Sequence, residues 1–270
     1  MPQARVLVPT GYGTNCERET AHTARMAGAN TVTVCHFSDL VRGTVRIPEY
    51  NFLIFPGGFL DGDHLGAAQA AAARFSSTRS PEGRSLLTEI LELHREGGLI
   101  LGICNGFQLL AKLGLLPGWE DSPLTRQISL SHNDSARFED RWIDLSCNPK
   151  SPCVFTQGLQ RLQMPVRHGE GKLIPSEQEV LDRLLRQEQV PVQYVDSQGR
   201  VASHYPEDPN GSPSGVAGVC DPTGRIFGLM PHPEAFHHRT NHPHWSTGAD
   251  TPLGSSLLEN AVTYLQSRGQ

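Results

Sequence analysis

Residues 98–110 read Gly98-Leu99-Ile100-Leu101-Gly102-Ile103-Cys104-Asn105-Gly106-Phe107-Gln108-Leu109-Leu110, and this stretch decides the fold. Its short apolar run predicts a buried strand, and the apolar positions that follow Gly106 predict a helix. Cys104 falls at the junction. A sharp strand-to-helix turn is how the elbow G-x-S-x-G exposes a nucleophile, and here cysteine stands in place of serine. The stretch therefore predicts a cysteine nucleophile at the end of a strand.

Strands and helices alternate in the part of the chain that precedes this elbow. The predicted strands cover residues 5–9, 31–37 and 50–55, and the predicted helices cover residues 14–28, 65–75 and 86–96. The first helix opens on Thr14-Asn15-Cys16-Glu17, which has the form of a capping box. Short connections between such elements favour parallel pairing with helices on both faces. We therefore predict an α/β fold with three layers, in which helices flank an open, mostly parallel sheet.

The second half of the chain has a different pattern, in which short strands are separated by turns. The predicted strands cover residues 137–145, 164–167, 190–195, 215–220 and 226–229, and the predicted helices cover residues 177–187 and 256–265. This pattern indicates a mixed β region that continues the sheet. We treat residues 1–270 as one domain, with a surface loop insertion at 76–83 and an extended C-terminal loop at 236–252.

Bulk properties exclude several classes of function. The chain has 270 residues and a formal net charge of -5, and its basic residues are scattered, so we expect no binding to nucleic acid. No apolar run approaches the roughly 20 residues that a membrane span needs, and the N-terminus has no signal-peptide pattern. The six cysteines include no C-x-x-C pair, so neither a disulfide framework nor a metal site is expected. We predict a cytoplasmic protein.

A base for the nucleophile is offered by Gly228-Leu229-Met230-Pro231-His232-Pro233-Glu234, another apolar strand that ends in a polar loop. Extended backbone around the two prolines lets His232 and Glu234 face the same side. A thiol nucleophile needs a histidine that a carboxylate orients. The alternative is a histidine in a proline-rich surface turn, just as Cys104 viewed alone is compatible with a core cysteine.

Glycines follow the apolar strand at 50–55, in Pro56-Gly57-Gly58-Phe59. A glycine pair at a strand end is compatible with a simple turn. In an open α/β sheet, however, the carboxyl edge is where ligands bind. If the loop faces Cys104, the backbone amides of Gly58 and Asn105 can stabilise an oxyanion. Loss of one such donor raises the activation free energy by about 3 to 4 kcal/mol.

Taken together, these three motifs resemble the signatures of class I, or triad, glutamine amidotransferases, which have a flavodoxin-like fold. Further segments resemble the glutaminase subunits of phosphoribosylformylglycinamidine synthase, which serve the fourth step of purine synthesis. These segments are Gly13-Thr14-Asn15-Cys16-Glu17-Arg18-Glu19, Phe59-Leu60-Asp61-Gly62-Asp63, Asn133-Asp134-Ser135-Ala136-Arg137-Phe138-Glu139 and Arg167-His168-Gly169-Glu170-Gly171-Lys172.

The resemblance implies that Cys104 attacks the side-chain amide of L-glutamine, that His232 moves the proton and that Glu234 orients the imidazole. It assigns the oxyanion hole to Gly58 and Asn105 and the binding of glutamine to Gln108 and Gly57. Ammonia then passes to a large synthetase subunit, which uses ATP and Mg²⁺ to convert formylglycinamide ribonucleotide to formylglycinamidine ribonucleotide. We expect no cofactor on this chain, which has no G-x-x-x-x-G-K-[ST] run. Whether a small accessory subunit is also required is left open.

Two other functions remain as alternatives. One is a class I glutaminase that serves another synthetase, and the other is a non-catalytic interaction subunit, or a cysteine protease or stress protein built on a similar sheet. The tail at 236–252 also leaves a choice open, because it adds His237, His238, His242 and His244 to His232. Their spacing matches no standard ligand motif, which favours a polar loop that faces a partner over a metal site.

Overall fold

The computed structural model describes residues 3–248 and 251–268. Residues 249 and 250 of the predicted tail loop, and the ends 1–2 and 269–270, lie outside the described residues. The strands are β1 (Arg5–Thr10), β2 (Thr31–His36), β3 (Phe52–Phe55), β4 (Leu99–Ile103), β5 (Ile128–Ser131), β6 (Glu139–Cys147), β7 (Arg161–His168), β8 (Lys172–Pro175), β9 (Val192–Val195), β10 (Val216–Cys220) and β11 (Ile226–Leu229). The α-helices are α1 (Glu17–Met26), α2 (Phe37–Arg42), α3 (Gln69–Ser77), α4 (Leu86–Arg95), α5 (Asn105–Lys112), α6 (Gln178–Arg186) and α7 (Ser256–Ser267).

Nine strands form one sheet in the order β2-β1-β3-β4-β11-β10-β9-β6-β7. The first five strands pair in parallel, and the remaining pairs are antiparallel. Every residue of β3, β4 and β11 is buried, which explains why these strands are continuous apolar runs rather than alternating ones. The α/β class is confirmed, and the predicted mixed β region is the antiparallel half of the sheet.

Helices cover the sheet in two groups. Helix α1 contacts α7, whereas α3 contacts both α4 and α5. Strand β2 lies on one side of β1 in the sheet, and β3 and β4 lie on the other side. Because crossovers between parallel strands are right-handed, connections that run in opposite directions across the sheet place their helices on opposite faces. The predicted three layers are confirmed. Among the described residues, no helix is both long enough and apolar enough to cross a bilayer.

The carboxyl edge of the parallel strands collects the predicted site. Strands β3, β4 and β11 are neighbours, and they are followed respectively by the glycine loop, by Cys104 and by the loop with His232. Between β1 and β3 the direction of the chain across the sheet reverses, and this is the position where open α/β sheets form a ligand crevice. The topology alone therefore brings the three motifs to one edge.

The predicted capping box at the start of α1 is wrong. The helix begins at Glu17 with Cys16 as its N-cap, and no side chain caps it. Thr14 instead forms an isolated antiparallel bridge with Gly58, and its hydroxyl accepts a hydrogen bond from the backbone N–H of Gly11 at 3.2 Å. Because Thr14 holds the glycine loop in place, it lies outside the helix that it was expected to start.

Other boundaries differ for local reasons. The helix predicted from residue 65 begins at Gln69, because Gly66 and Ala68 have φ angles of 92° and 59°, outside the helical region. The loop at 76–83 is folded back by a bridge between Arg79 and Ser85, and its Ser80 is buried. The two-stranded sheet of β5 and β8 was not predicted, because both strands are short and only partly buried and so lack the continuous apolar run that marks β3 or β11.

Candidate active site

Cys104 sits in the turn between β4 and α5 with φ 51° and ψ −103°. A non-glycine residue reaches this region only under strain, of order 1–3 kcal/mol, that the surrounding structure supports. The two flanking glycines allow the turn to form. A Cβ on Gly102 would lie 2.6 Å from Gly106, and a Cβ on Gly106 would lie 2.1 Å from the carbonyl oxygen of Phe55. The sequence therefore needs glycine on both sides of the nucleophile to seat α5 against the sheet.

We predict that Gly106→Ala destabilises the fold by about 3 kcal/mol, the upper part of the range for overpacking a core. The new methyl group would collide with the backbone of β3, which cannot rotate away. Gly169→Ala is a matched control, because a Cβ at Gly169 meets nothing within 4 Å. Urea denaturation measures both variants. Equal free energies of unfolding for the two would contradict the proposed close approach of α5 to β3.

His232 and Glu234 form the second part of the site. Nδ1 of His232 lies 2.6 Å from Oε1 of Glu234, and the two side chains are 2% and 1% exposed. The main chain at Glu234 is supported by α1, since the hydroxyl of Thr23 donates to its carbonyl oxygen at 3.3 Å. The carboxylate thus holds the imidazole in one orientation and leaves Nε2 for proton transfer.

Strand β7 fixes the nucleophile and the histidine relative to each other. The N–H of His232 donates to the carbonyl oxygen of Pro165 at 2.9 Å, and the thiol of Cys104 donates to that of Arg167 at 3.6 Å. Pro165 and Arg167 are two residues apart on β7, so this strand holds the two residues near each other, and Nε2 of His232 makes no hydrogen bond within the described chain. The structure therefore brings Cys104, His232 and Glu234 together, although they come from two different strand ends.

Electrostatics favour the charged form of His232. Burial alone would lower the pKa of His232, but the carboxylate of Glu234 and the nearby thiols more than offset burial and raise that pKa well above its usual value. A protonated imidazole can donate a proton to a leaving group. The arrangement suits attack on a carbonyl carbon followed by protonation of a leaving amine.

The predicted oxyanion donors face the same edge. Among the described residues, neither the N–H of Gly58 nor that of Asn105 donates a hydrogen bond to another protein group. Gly58 has a φ of 139°, and a Cβ there would lie 2.6 Å from the carbonyl oxygen of Gly13, so only glycine fits. Asn105 begins α5, where the first N–H groups have no partner within the helix. Both amides are therefore available to an anion.

Gly57 and Gln108, which were predicted to bind substrate, are already engaged with protein groups. A Cβ on Gly57 would lie 2.7 Å from Cε1 of His232, so this glycine makes room for the imidazole. The amide of Gln108 accepts from Nδ2 of Asn105 at 2.9 Å and donates to the carbonyl oxygen of Glu170 at 2.6 Å. Gln108 therefore connects the elbow helix to the loop that follows β7. Its contact with glutamine stays a prediction.

His168 lies next to the loop that contacts Gln108, and its imidazole is buried in the neutral form. Its Nδ1 lies 3.0 Å from Oδ1 of Asn133, and its Nε2 has no partner within the described chain. Burial and the nearby charge of His232 lower the pKa of His168 to about 3. Asn133 also accepts from the N–H of Gly171, so it organises the loop that holds Glu170 against Gln108. The sequence motifs at 133–139 and 167–172 therefore pack against each other beside the nucleophile.

We predict that His168 makes the protein less stable in acid. Its pKa falls from 6.5 to about 3 on folding, so between these values the unfolded chain binds the extra proton. The free energy of unfolding should then decrease as the pH falls through that window, by up to about 1.4 kcal/mol per pH unit. The free energy of unfolding of His168→Gln should depend less steeply on pH in this window. His204→Gln, in which an exposed histidine is replaced, is the control and should follow the wild type. An unchanged slope in His168→Gln would contradict the prediction.

Cys16 also belongs to the site, although no role for it is predicted from the sequence. Its Sγ, a ring nitrogen of His232 and a carboxylate oxygen of Glu234 all lie within 4.8 Å of one another. A Cβ on Gly57 would lie 3.3 Å from that sulfur. The signal that could have found Cys16 is its position in the stretch Gly13–Glu19, which follows the end of β1 at the same sheet edge.

The histidine-rich tail packs instead against the antiparallel half of the sheet. His242 is buried, with its ring centroid 4.6 Å from that of Trp142 and its Nε2 2.9 Å from Oε1 of Gln163. Phe236 also packs on Trp142 at 5.0 Å. In the described part of the tail, the histidines form no cluster with cysteine or carboxylate ligands close enough to share an ion. His242 therefore anchors the tail.

Comparisons with known proteins agree with this geometry. A sequence profile of the CobB/CobQ-like glutamine amidotransferase domain matches residues 3–265. Phosphoribosylformylglycinamidine synthase subunit PurQ of Dehalococcoides mccartyi is 44% identical over 98% of this chain and 98% of its own length. The subunit of the same name from Archaeoglobus fulgidus is 42% identical over 86% of this chain and 87% of its own length.

Solved structures give the same result. The structure of PurLQS from Thermotoga maritima contains a chain that superposes with a TM-score of 0.71 and 26% identity, over 97% of this chain and 99% of that one. The fold and the Cys-His-Glu site thus define a class I glutamine amidotransferase. Within that class, the chain belongs to the PurQ family.

Proposed function

We propose that this chain is the glutaminase subunit of phosphoribosylformylglycinamidine synthase. It hydrolyses L-glutamine to glutamate and ammonia, and the ammonia passes to an ATP-dependent synthetase subunit in purine biosynthesis. The observation that carries this proposal is the pairing of His232 with Glu234 beside a strained Cys104 in a chain of the PurQ family. The acceptor is inferred from the relatives, which are named as subunits of that synthase.

The first half of the reaction is acyl transfer. The thiolate of Cys104 attacks the side-chain amide carbon of glutamine, and the amides of Gly58 and Asn105 stabilise the oxyanion that forms. Protonated Nε2 of His232 then gives its proton to the amide nitrogen. The carbon–nitrogen bond breaks, ammonia leaves and a thioester remains on Cys104. The raised pKa of His232 keeps this acid protonated around neutral pH.

The second half is hydrolysis of the thioester. Nε2 of His232, now neutral, removes a proton from water, and the oxygen attacks the thioester carbon. The carbon–sulfur bond breaks, which releases glutamate and restores the Cys104 thiolate beside the protonated imidazole. Glu234 accepts the hydrogen bond from Nδ1 of His232 throughout and so keeps the proton on that nitrogen. ATP and Mg²⁺ are assigned to the synthetase subunit, and no step on this chain needs them.

Exposed apolar side chains support docking of the large subunit over the site. Tyr12 and Phe59 follow β1 and β3 at the carboxyl edge, and they are 77% and 51% exposed. The antiparallel strands bring Phe138 and Tyr205 to the same edge, with exposures of 67% and 63%. Aromatic residues so exposed are typical of protein interfaces. A partner at this edge would also receive ammonia directly from Cys104.

The same proposal places the chain in the cytoplasm with its partners. All six cysteines are free thiols, as expected of a protein that works in a reducing compartment. L-Glutamine and the large synthetase subunit are the partners proposed here, and the need for a small accessory subunit is decided by the reconstitution below.

Reconstitution with the synthetase subunit of the same organism tests the function. The complex, with ATP, Mg²⁺ and formylglycinamide ribonucleotide, should form product with glutamine, whereas the synthetase alone should require free ammonia. Adding the accessory subunit tests whether it is needed. Product formation from ammonia but not from glutamine, with the accessory subunit present, would contradict the proposal. Activation of glutaminase by another synthetase alone would assign the same chemistry to a different acceptor.

A further inference from the structure

The two amides of the proposed oxyanion hole belong to different segments. Gly58 lies in the loop that follows β3, whereas Asn105 is the first residue of α5. Pairing of β3 with β4 ends at Phe55, before the glycine pair, and glycine leaves the backbone that follows free to adopt other conformations. The N–H of Phe59 donates to the carbonyl oxygen of Gly13 at 2.8 Å, which holds the loop against the segment after β1. The position of Gly58 relative to the elbow therefore depends on a further connection.

The side chain of Asn105 makes this connection. Its Oδ1 accepts a hydrogen bond from the N–H of Leu60 at 3.0 Å, and its Nδ2 donates to Oε1 of Gln108 at 2.9 Å. Asn105 is 3% exposed, and α5 is buried from Asn105 to Ala111, so the anchor is rigid. One residue thus offers its own N–H to the oxyanion hole and also holds the loop that carries the other N–H.

The hydrogen bonds of Asn105 belong to a closed ring. Nε2 of Gln108 donates to the carbonyl oxygen of Glu170 at 2.6 Å, and Oε2 of Glu170 accepts from the N–H of Ala67 at 3.2 Å. The loop after β3 is therefore held at Leu60 by Asn105 and again at Ala67 by Glu170, while Gln108 joins the two holders. A buried network in which each member supports the next restricts the rotation of its side chains.

We propose that the side chain of Asn105 is a positioning group that fixes the N–H of Gly58 where the oxyanion forms, an inference that rests on the proposed glutaminase function. An oxyanion donor is effective because it already points at the oxygen when negative charge develops there. A glycine loop without this hydrogen bond would adopt conformations in which the N–H of Gly58 points elsewhere. The resemblance assigns only a backbone role to Asn105, whereas the structure gives its side chain a second one.

The test in the reconstituted complex is Asn105→Ala, which removes the acceptor for Leu60 and keeps the N–H at position 105. The kcat for glutamine hydrolysis should fall about 10- to 100-fold, as expected when a donor is displaced rather than lost. Gln108 stays bonded to Glu170, so KM should change by less than about threefold, and kcat/KM should fall with kcat. Synthesis from free ammonia should be unchanged, which reports intact docking.

Hydrogen exchange on the full chain without the synthetase tests the connection itself. The N–H of Leu60 should exchange about 10-fold faster in Asn105→Ala, the order expected from loss of one buried hydrogen bond. Asn51→Ala is the matched control. The side chain of Asn51 also bridges two backbone groups, the N–H of Arg5 and the carbonyl oxygen of Gln3, each at 2.8 Å, but at the amino edge of the sheet. It should alter neither kcat nor the exchange of Leu60.

The outcomes separate the possible roles of Asn105. Unchanged exchange of Leu60 in Asn105→Ala would overturn the connection, and faster exchange with an unchanged kcat would overturn the positioning role. A raised KM with an unchanged kcat would assign Asn105 to substrate binding instead. Asn105→Ser, whose hydroxyl is too short to reach Leu60, replaces Asn105→Ala if alanine prevents folding. A wild-type complex that cannot use glutamine would overturn the proposed function, whereas the exchange of Leu60 tests the connection independently of activity.

Discussion

Cys104→Ala is expected to lower glutamine-dependent product formation by about 10⁴- to 10⁶-fold, the loss seen when a covalent nucleophile is removed. The reason is that no other thiol in the described chain occupies the elbow turn, with its free amides and its histidine. Synthesis from free ammonia should be unchanged in the reconstituted complex, because the synthetase chemistry does not involve Cys104. Steady-state assays with each nitrogen source measure both rates.

The two nitrogen sources make this prediction specific. A variant that fails to fold or to dock would alter the ammonia rate as well, whereas a variant that lacks only the nucleophile would not. Cys35→Ala, which removes a thiol from β2, should retain both activities. Glutamine-dependent synthesis that persists in Cys104→Ala would show that the nucleophile is a different group, with Cys16 the nearest candidate.

The sequence allowed much of this site to be predicted, because the site lies where apolar strands end. Strands such as β3 and β4 are buried on both faces and therefore form unmistakable apolar runs. Parallel strands carry their C-terminal loops to one edge, so Gly58, Cys104 and His232 could be placed together without coordinates. The strain at Cys104 also follows from the elbow pattern, since small residues flank the turn.

What could not be predicted depends on contacts between distant segments. Cys16 and His232 come from opposite ends of the chain, so no local spacing reveals that their side chains lie together. The helix start at Thr14 was wrong because a bridge to Gly58 outweighs the local capping preference. The anchoring of the tail through His242 depends on Trp142, which only the packed antiparallel strands bring near. Short sequence patterns reflect the conformational preferences of neighbouring residues, whereas these three features depend on contacts between residues far apart in the sequence.

Glu234→Gln is expected to lower glutaminase turnover by about 10²- to 10⁴-fold, by analogy with the loss of the orienting carboxylate in serine triads. The neutral amide cannot stabilise the imidazolium, so the pKa of His232 should fall, and the amide also permits the wrong tautomer. Since His232 must be protonated when ammonia leaves, its acid form would be lost at a lower pH. The alkaline limb of the turnover profile should therefore shift to lower pH.

The direction of that shift separates a catalytic role from a structural one. Glu89→Gln is the matched control, because Glu89 is a buried carboxylate in α4, 3% exposed, and its ion pair is with Arg84 and not with His232. It should leave the pH profile unchanged even if it lowers stability. A Glu234→Gln enzyme with reduced turnover but an unshifted alkaline limb would mean that Glu234 only packs against His232. The 2.6 Å contact between two fully buried groups argues for the charge effect, since a buried carboxylate without a cationic partner would be strongly disfavoured.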